Sequence, residues 1–358
     1  MTTVHEAAKL GQSVWNDYIS RGLLSSGGLR RLIQQGIRGV TSNPAIFNKA
    51  ISSEGEYDTP IAELARDGVS DLDIYERLVL EDIRAAADEF RELYDCSGGD
   101  DGFVSLELDP RLADDGQETL REARRLWTLL DRPNCMIKIP ATEVGITAIE
   151  DATAEGICVN ATLIFSLAHS EAVNRAYIRG LERRIKDGHS LNGVRSVASL
   201  FVSRLDGAVD PLVEGRVPDL LGTAGVDNAR LSYRCWREIF SGPEWDKLSA
   251  AGASPQRMLW ASTGTKNPAY RDTLYVEELI GPETVNTVPP GTLKAFLEHG
   301  RVANRIEHDL DGAVTRRKSL ADLGINLDDI GNRLRSAGVA AFQEAFDSLL
   351  KAVNAKIK

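Results

Sequence analysis

The chain has 358 residues, of which 42% are hydrophobic and 27% charged, a balance that suits a globular protein with one large core or two ordinary ones. A formal net charge of −11 argues against nonspecific binding to nucleic acid or to a membrane surface, both of which want a basic face, but it leaves room for a local cluster of cations around a small anion. The cysteines (Cys96, Cys135, Cys158, Cys235) are scattered without a CxxC, the first thirty residues lack an apolar h-region, and no apolar run reaches membrane-spanning length, so a reduced, cytoplasmic setting is expected.

Short apolar or alternating runs recur along the chain, separated by segments of helical periodicity. The first run is Ser13 to Ile19, followed by a short helix over Leu29 to Gln35; the second is Gly36 to Asn43, closed by Pro44. Residues 57–95 read as an insertion with at least one amphipathic helix, since Leu72, Tyr75, Leu78, Val79, Ile83, Ala86, Ala87, Phe90 and Leu93 recur at helical spacing. The third run is Phe103 to Asp109, then a charged helix over about 117–130. The fourth is Met136 to Pro140, and the fifth Ile157 to Phe165 with a helix from Ala168. The sixth is Ser196 to Val202, followed by a helix over 225–240 capped near Asp227. The seventh is Arg257 to Thr263 and the eighth Glu283 to Val288. After Leu293 the chain reads as helical nearly to its end, and Leu327, Ile330, Leu334, Val339, Phe342, Phe346, Leu349, Leu350 and Val353 give a last helix of about 327–356 an apolar stripe. Strand-like runs alternating with helices predict one α/β domain over 1–358, a (β/α)8 TIM barrel. A doubly wound open sheet is the alternative, lowered by the lack of a Gly-rich fingerprint after the first strand.

Buried parallel strands should be almost wholly apolar, yet these carry polar residues toward their C-terminal ends. Asp17 is in the first, Asn43 closes the second, and Glu107 lies in the third between outward-facing Leu106 and Leu108. Lys138 is in the fourth, Asn160 and Thr162 alternate with Val159, Ala161 and Leu163 in the fifth, and Ser199 is in the sixth with Arg204 just past it. Ser262, Thr263 and Lys266 lie at or beyond the seventh. In a barrel these ends converge on one mouth. Taken singly, each has an ordinary reading: a helix cap for an Asp, a turn for Asn43, strand propensity for Thr162, an ion pair for Arg204 with Asp206. Lys138 has two. With Ile137 and Ile139 packed outward it points inward, where apolar enclosure favours a neutral, nucleophilic amine; alternatively it reaches water or a carboxylate.

Gly39-Val-Thr-Ser-Asn-Pro-Ala-Ile-Phe47 closely resembles the N-terminal signature of the transaldolase family, and Met136-Ile-Lys-Ile-Pro-Ala-Thr142 resembles its Schiff-base lysine motif. Val104-Ser-Leu-Glu-Leu-Asp-Pro-Arg111, Val159-Asn-Ala-Thr-Leu-Ile-Phe-Ser166 and Ser199-Leu-Phe-Val-Ser-Arg204 resemble its other strand motifs in family order, so that the resemblance spans roughly residues 10–300. The length, the 57–95 segment and Trp260-Ala-Ser-Thr-Gly-Thr-Lys266 are similar to the longer bacterial branch. The resemblance implies metal-free, cofactor-free aldol chemistry on sugar-phosphate substrates by a monomer or homodimer, with no nucleic-acid or membrane partner. It implies Lys138 as the imine-forming nucleophile, Asp17 as general base, and Glu107 and Thr162 as holders of the water that moves protons. Asn43, Asn160 and Ser199 would line the pocket for the substrate hydroxyls. Arg204 and Lys266 would bind the distal phosphate, with Ser262 a possible extra contact. The sequence departs from the family at Ser199-Leu and Ser203-Arg204, where many members have Ser-Pro and Gly-Arg, and at Lys266, where shorter members place an arginine. Shorter aldolases of the family lack a carboxylate like that of Glu107, so Glu107 favours group transfer over release of free dihydroxyacetone.

Other signals have bland readings. His5, His169, His189, His299 and His308 show no zinc-ligand spacing. His169 is placed at a helix N-terminus more readily than at the mouth. Asp109, Asp114 and Asp115 read as a solvated loop, and Ser26-Gly-Gly28 as a turn before a short helix. The final helix is expected to lie across or beside the barrel and to help close the pocket.

Overall fold

The computed structural model describes residues 1–357. Its strands are β1 (Gln12–Asn16), β2 (Gly39–Thr41), β3 (Phe103–Glu107), β4 (Cys135–Pro140), β5 (Val159–Ile164), β6 (Ser196–Phe201), β7 (Arg257–Ala261) and β8 (Thr284–Val288). All pair in parallel with their sequence neighbours, and β8 closes on β1 with Gln12 opposite Thr284 and Asn16 opposite Val288. The (β/α)8 barrel is therefore the fold, and closure removes the open-sheet alternative. Each expected strand overlaps its apolar run, with ends that differ by up to three residues.

Alternation along the strands builds two cores. Val104, Leu106, Ile137, Ile139, Val159 and Ala161 pack under the helices. Trp15, Phe103, Met136, Val197, Leu259 and Val285 fill the barrel interior. Each such side chain contributes roughly 1.5–3 kcal/mol relative to leaving it exposed. At the N-terminal end, buried Asp101 accepts from Ser13 Oγ at 2.5 Å, Arg38 Nε at 2.6 Å and Arg257 Nη1 at 3.3 Å, a polar plug under the apolar layers. At the other end, side-chain oxygens of Asn43, Thr142 and Ser166 cap the helices that follow β2, β4 and β5.

Several expectations are corrected. Residues 57–95 hold three helices, Asp58–Arg66, Asp71–Glu89 and Arg91–Cys96. The second packs on β3 and on the helix Gly116–Leu130, so it is the crossover that a parallel β2–β3 pair requires rather than an insertion alone. Leu72, placed on its apolar stripe, is 39% exposed, and Ile74 is buried instead. Asp227 lies inside the helix Ala224–Ile239 and caps nothing; its carboxylate pairs with Arg316. The chain after Leu293 is not continuously helical: the helix Pro290–His299 is followed by an irregular stretch before Leu310–Asp322 and Leu327–Ile357. Finally, Leu163 does not continue the outward alternation of β5. It stands at φ 60, where the β5–β6 register shifts between Ala161 and Ile164, and joins Phe165, Phe201 and Phe342 above the barrel interior.

The C-terminal helix Leu327–Ile357 lies along Pro44–Ser53 and across the C-terminal ends of the strands. Arg335 Nη1 donates to Ala141 O at 3.3 Å and Gln343 Nε2 to Pro110 O at 3.2 Å. Its approach is close: a Cβ on Gly338 would sit 2.9 Å from Leu163 Cδ2, and one on Gly331 would sit 3.0 Å from Ser166 Cβ. His169 is buried in the first turn of its helix and meets Asn332 Oδ1 at 2.9 Å and Arg335 Nη1 at 3.0 Å. It thus anchors the C-terminal helix.

Candidate active site

Strand register sets the site in layers. Glu107 of β3 is paired with Lys138 of β4, and Lys138 with Asn160 of β5; Thr162 stands one layer higher, opposite Pro140. Lys138 is 5% exposed and Glu107 6%. The Lys138 ammonium donates to Glu107 Oε2 at 3.3 Å and to Ser42 O at 3.1 Å. The enclosure around Lys138 is therefore not wholly apolar: its partners are a carboxylate and a carbonyl. Glu107 Oε1 and Thr162 Oγ1 are buried without a hydrogen-bond partner, on the two strands that flank the lysine strand.

Asp17 is one residue past β1, on the loop that leaves it. Thr41 Oγ1 donates to Asp17 Oδ1 at 2.6 Å and lies 2.5 Å from Thr287 Oγ1. Burial pushes the Asp17 carboxyl up, against the Thr41 hydrogen bond and the Lys138 charge. Burial likewise pushes Glu107 up to about 7, opposed by Lys138 and reinforced by Asp17. A carboxyl near 7 beside a lysine can hold or give a proton at neutral pH.

Above this layer opens a cavity of about 410 Å³, lined by Asp17, Asn43, Lys138, Thr162, Ser199, Arg204, Ser262 and Lys266 among others. Arg204, in the first turn after β6, lays its guanidinium 5.3 Å from the centroid of Phe201. Burial pulls Arg204 down and the Glu107 charge opposes this. Lys266 is exposed at the rim, and partial enclosure followed by the Arg204 charge moves its ammonium down. Neither cation forms an ion pair with an acid among the described residues, so an anion entering the cavity meets two cations without a salt-bridge partner. The ordinary alternative for Arg204, an ion pair with Asp206, does not form: Asp206 turns to Gly225 N and the Tyr275 hydroxyl, at 2.7 Å each.

The model of the transaldolase/fructose-6-phosphate aldolase family matches residues 14–353. The chain belongs to that family. A transaldolase of Thiobacillus denitrificans is 46% identical over 355 residues, covering 98% of this chain and 99% of the relative. One of Neisseria gonorrhoeae is 44% identical over 350 residues with coverages of 98% and 99%, and transaldolase 1 of Streptomyces avermitilis is 46% identical over 356 residues with coverages of 97% and 94%. Membership makes the chain an enzyme, and relatives of its own length carry the name that the sequence motifs resemble.

Within the transaldolase-type mouth, most residues singled out in the sequence meet around one cavity. Two do not line it. Glu107 lies behind Lys138, and Asn160 is fully buried, donating from Nδ2 to Ser105 Oγ at 3.0 Å and accepting on Oδ1 from Ser199 Oγ at 2.7 Å. Both ends of the Asn160 amide thus meet neighbouring side chains. Asn43 is partly committed, since its Oδ1 accepts from Ile46 N at 3.0 Å as a helix cap, leaving the amide nitrogen. The residues missed were Thr41 and Thr287, which orient Asp17, and Phe342, which lines the cavity from the C-terminal helix. The strand alternation in Gly39-Val-Thr41 pointed Thr41 inward; nothing local to Phe342 pointed to the mouth. No helix among the described residues is long and apolar enough to cross a membrane.

Proposed function

We propose that the enzyme is a transaldolase that moves a dihydroxyacetone unit from sedoheptulose 7-phosphate to glyceraldehyde 3-phosphate through an imine on Lys138, in the non-oxidative pentose phosphate pathway. The observation that carries this reading is the buried Lys138–Glu107 pair at 3.3 Å beneath a cavity that also holds Asp17 and two unpaired cations. The neutral Lys138 amine attacks the ketose C2 carbonyl. The carbinolamine hydroxyl leaves as water with a proton from the Glu107 carboxyl, which leaves a protonated imine and a Glu107 carboxylate. Asp17 then takes the proton of the C4 hydroxyl. The C3–C4 bond breaks, its electron pair flows into the imine to form an enamine, and C4 departs as an aldehyde. The enamine carbon adds to the acceptor aldehyde, and the steps reverse to free Lys138. Asn43 and Ser199 hold hydroxyls of the three-carbon unit, Thr162 positions the departing water, and Arg204 and Lys266 take the phosphate. Arg204 is the stronger anchor because its fork is planar and preset on Phe201.

The family description also covers fructose-6-phosphate aldolases, which would release dihydroxyacetone without an acceptor. One experiment separates these readings. The protein is incubated with fructose 6-phosphate and reduced with borohydride, and the adduct is located by mass. A reduced adduct on Lys138, with no free dihydroxyacetone before acceptor is added, is the expected result. Absence of any adduct would sink the imine reading, and free dihydroxyacetone would select the aldolase. Asp17→Ala is expected to keep the adduct and lose cleavage.

A further inference from the structure

A second cavity, of about 280 Å³, lies outside the barrel mouth between the helices Asp71–Glu89 and Gly116–Leu130, with Phe346 of the C-terminal helix at one side. Tyr75, Val79 and Leu80 wall it, Leu72 stands at its lip, and Glu107 lies in its lining. Glu107 thus lines the side cavity and does not line the mouth cavity. Its two oxygens are also distinct. Oε2 accepts from Lys138 on the mouth side, whereas Oε1 has no partner, although a buried carboxylate oxygen left bare is costly.

Imine formation makes one water molecule at the Lys138–Glu107 pair. By then the sugar phosphate occupies the mouth cavity of about 410 Å³, so water leaving that way must pass the substrate. We infer that the side cavity is a port through which this water, and protons exchanged on Glu107, pass to solvent without crossing the sugar. The inference rests on the imine reading above. It gives the helix Asp71–Glu89 a part in the chemistry through Tyr75 and Val79, neither of which touches substrate. It also accounts for Oε1: a water in the inner end of the port would satisfy it.

Release of water to bulk can be read directly. Fructose 6-phosphate labelled with ¹⁸O at C2 loses label slowly by hydration of its open-chain ketone, and the enzyme adds to this loss only when the imine forms and the released water escapes before it adds back. The measurement is the ratio of enzyme-dependent label loss to the rate of borohydride-trapped adduct formation, for the wild type and for two variants. Leu72→Trp covers the lip from a position that is 39% exposed, so folding is not at risk. Val79→Phe fills the interior, with its melting temperature measured alongside. Both are expected to lower the ratio at least fivefold, because the trapped water returns to the imine it left. Folded variants with wild-type ratios would overturn the port and assign the water to the mouth. A wild type that forms no adduct would instead defeat the imine reading itself.

Discussion

At the scale of single residues the chemistry turns on where two carboxyls sit. Glu107, raised to about 7 by burial, is a proton donor below that value and a carboxylate above it. Imine formation, read by single-turnover borohydride trapping, is therefore expected to slow as pH rises through about 7. Glu107→Gln should remove that limb and lower the rate by about 10²–10⁴-fold, the usual worth of a positioned acid; a variant with the wild-type pH profile would reassign the donor. Asp17, also raised by burial, has the opposite requirement: cleavage needs its carboxylate and fails on the acid side. Arg204→Ala is expected to raise KM for the sugar phosphate about 100-fold, on the order of 3 kcal/mol of charge-assisted hydrogen bonding, while Arg204→Lys restores little and Lys266→Ala costs less. Equal losses at both positions would contradict the ranking. These residues were legible in the sequence because polar side chains in buried strands need a reason. Their division of labour was not. Asn160 reads like a substrate ligand in Val159-Asn-Ala-Thr162, and its contacts to Ser105 and Ser199 are visible only in the structure.

At the scale of elements the strands were the most legible part, since each is a short apolar run in a closed parallel sheet and both faces are buried. The bulge at Leu163 was not, because a leucine at φ 60 is strained for a bulky side chain and is imposed by packing rather than by local preference. The C-terminal helix was legible as an amphipathic stripe but not as a wall of the site. Phe346 meets Tyr75 edge-on at 5.3 Å and lies under the Arg111 guanidinium at 4.9 Å, while Phe342 faces the cavity. Deleting residues 340–358 removes both, along with buried Leu349 and Val353. Each large apolar side chain lost from such a contact costs about 3–5 kcal/mol, so both melting temperature and turnover are expected to fall sharply. An unchanged turnover would free the helix from any role at the mouth.

At the scale of the whole molecule, stability too turns on a buried carboxyl. Asp206, like Glu107, is raised to about 7 by burial, despite hydrogen bonds from Gly225 and Tyr275. A carboxyl that binds its proton more tightly when folded contributes stability below its unfolded value, near 4, and loses it as pH rises through about 7. Asp206→Asn keeps an acceptor without the charge. Its melting temperature relative to wild type is therefore expected to improve between pH 5 and pH 8; a constant difference across that range would exclude Asp206 as a source. The close seat of Gly338 against Leu163 has a further consequence. Leu163 adjoins Thr162, whose hydroxyl is buried without a hydrogen-bond partner beside the mouth cavity, and the strained backbone between strand and helix works as a clamp set beside a fine adjustment. A clamp that slackens spoils alignment while the frame still stands. In such an assembly, wear shows first as lost precision at the hydroxyl and only later as collapse of the barrel.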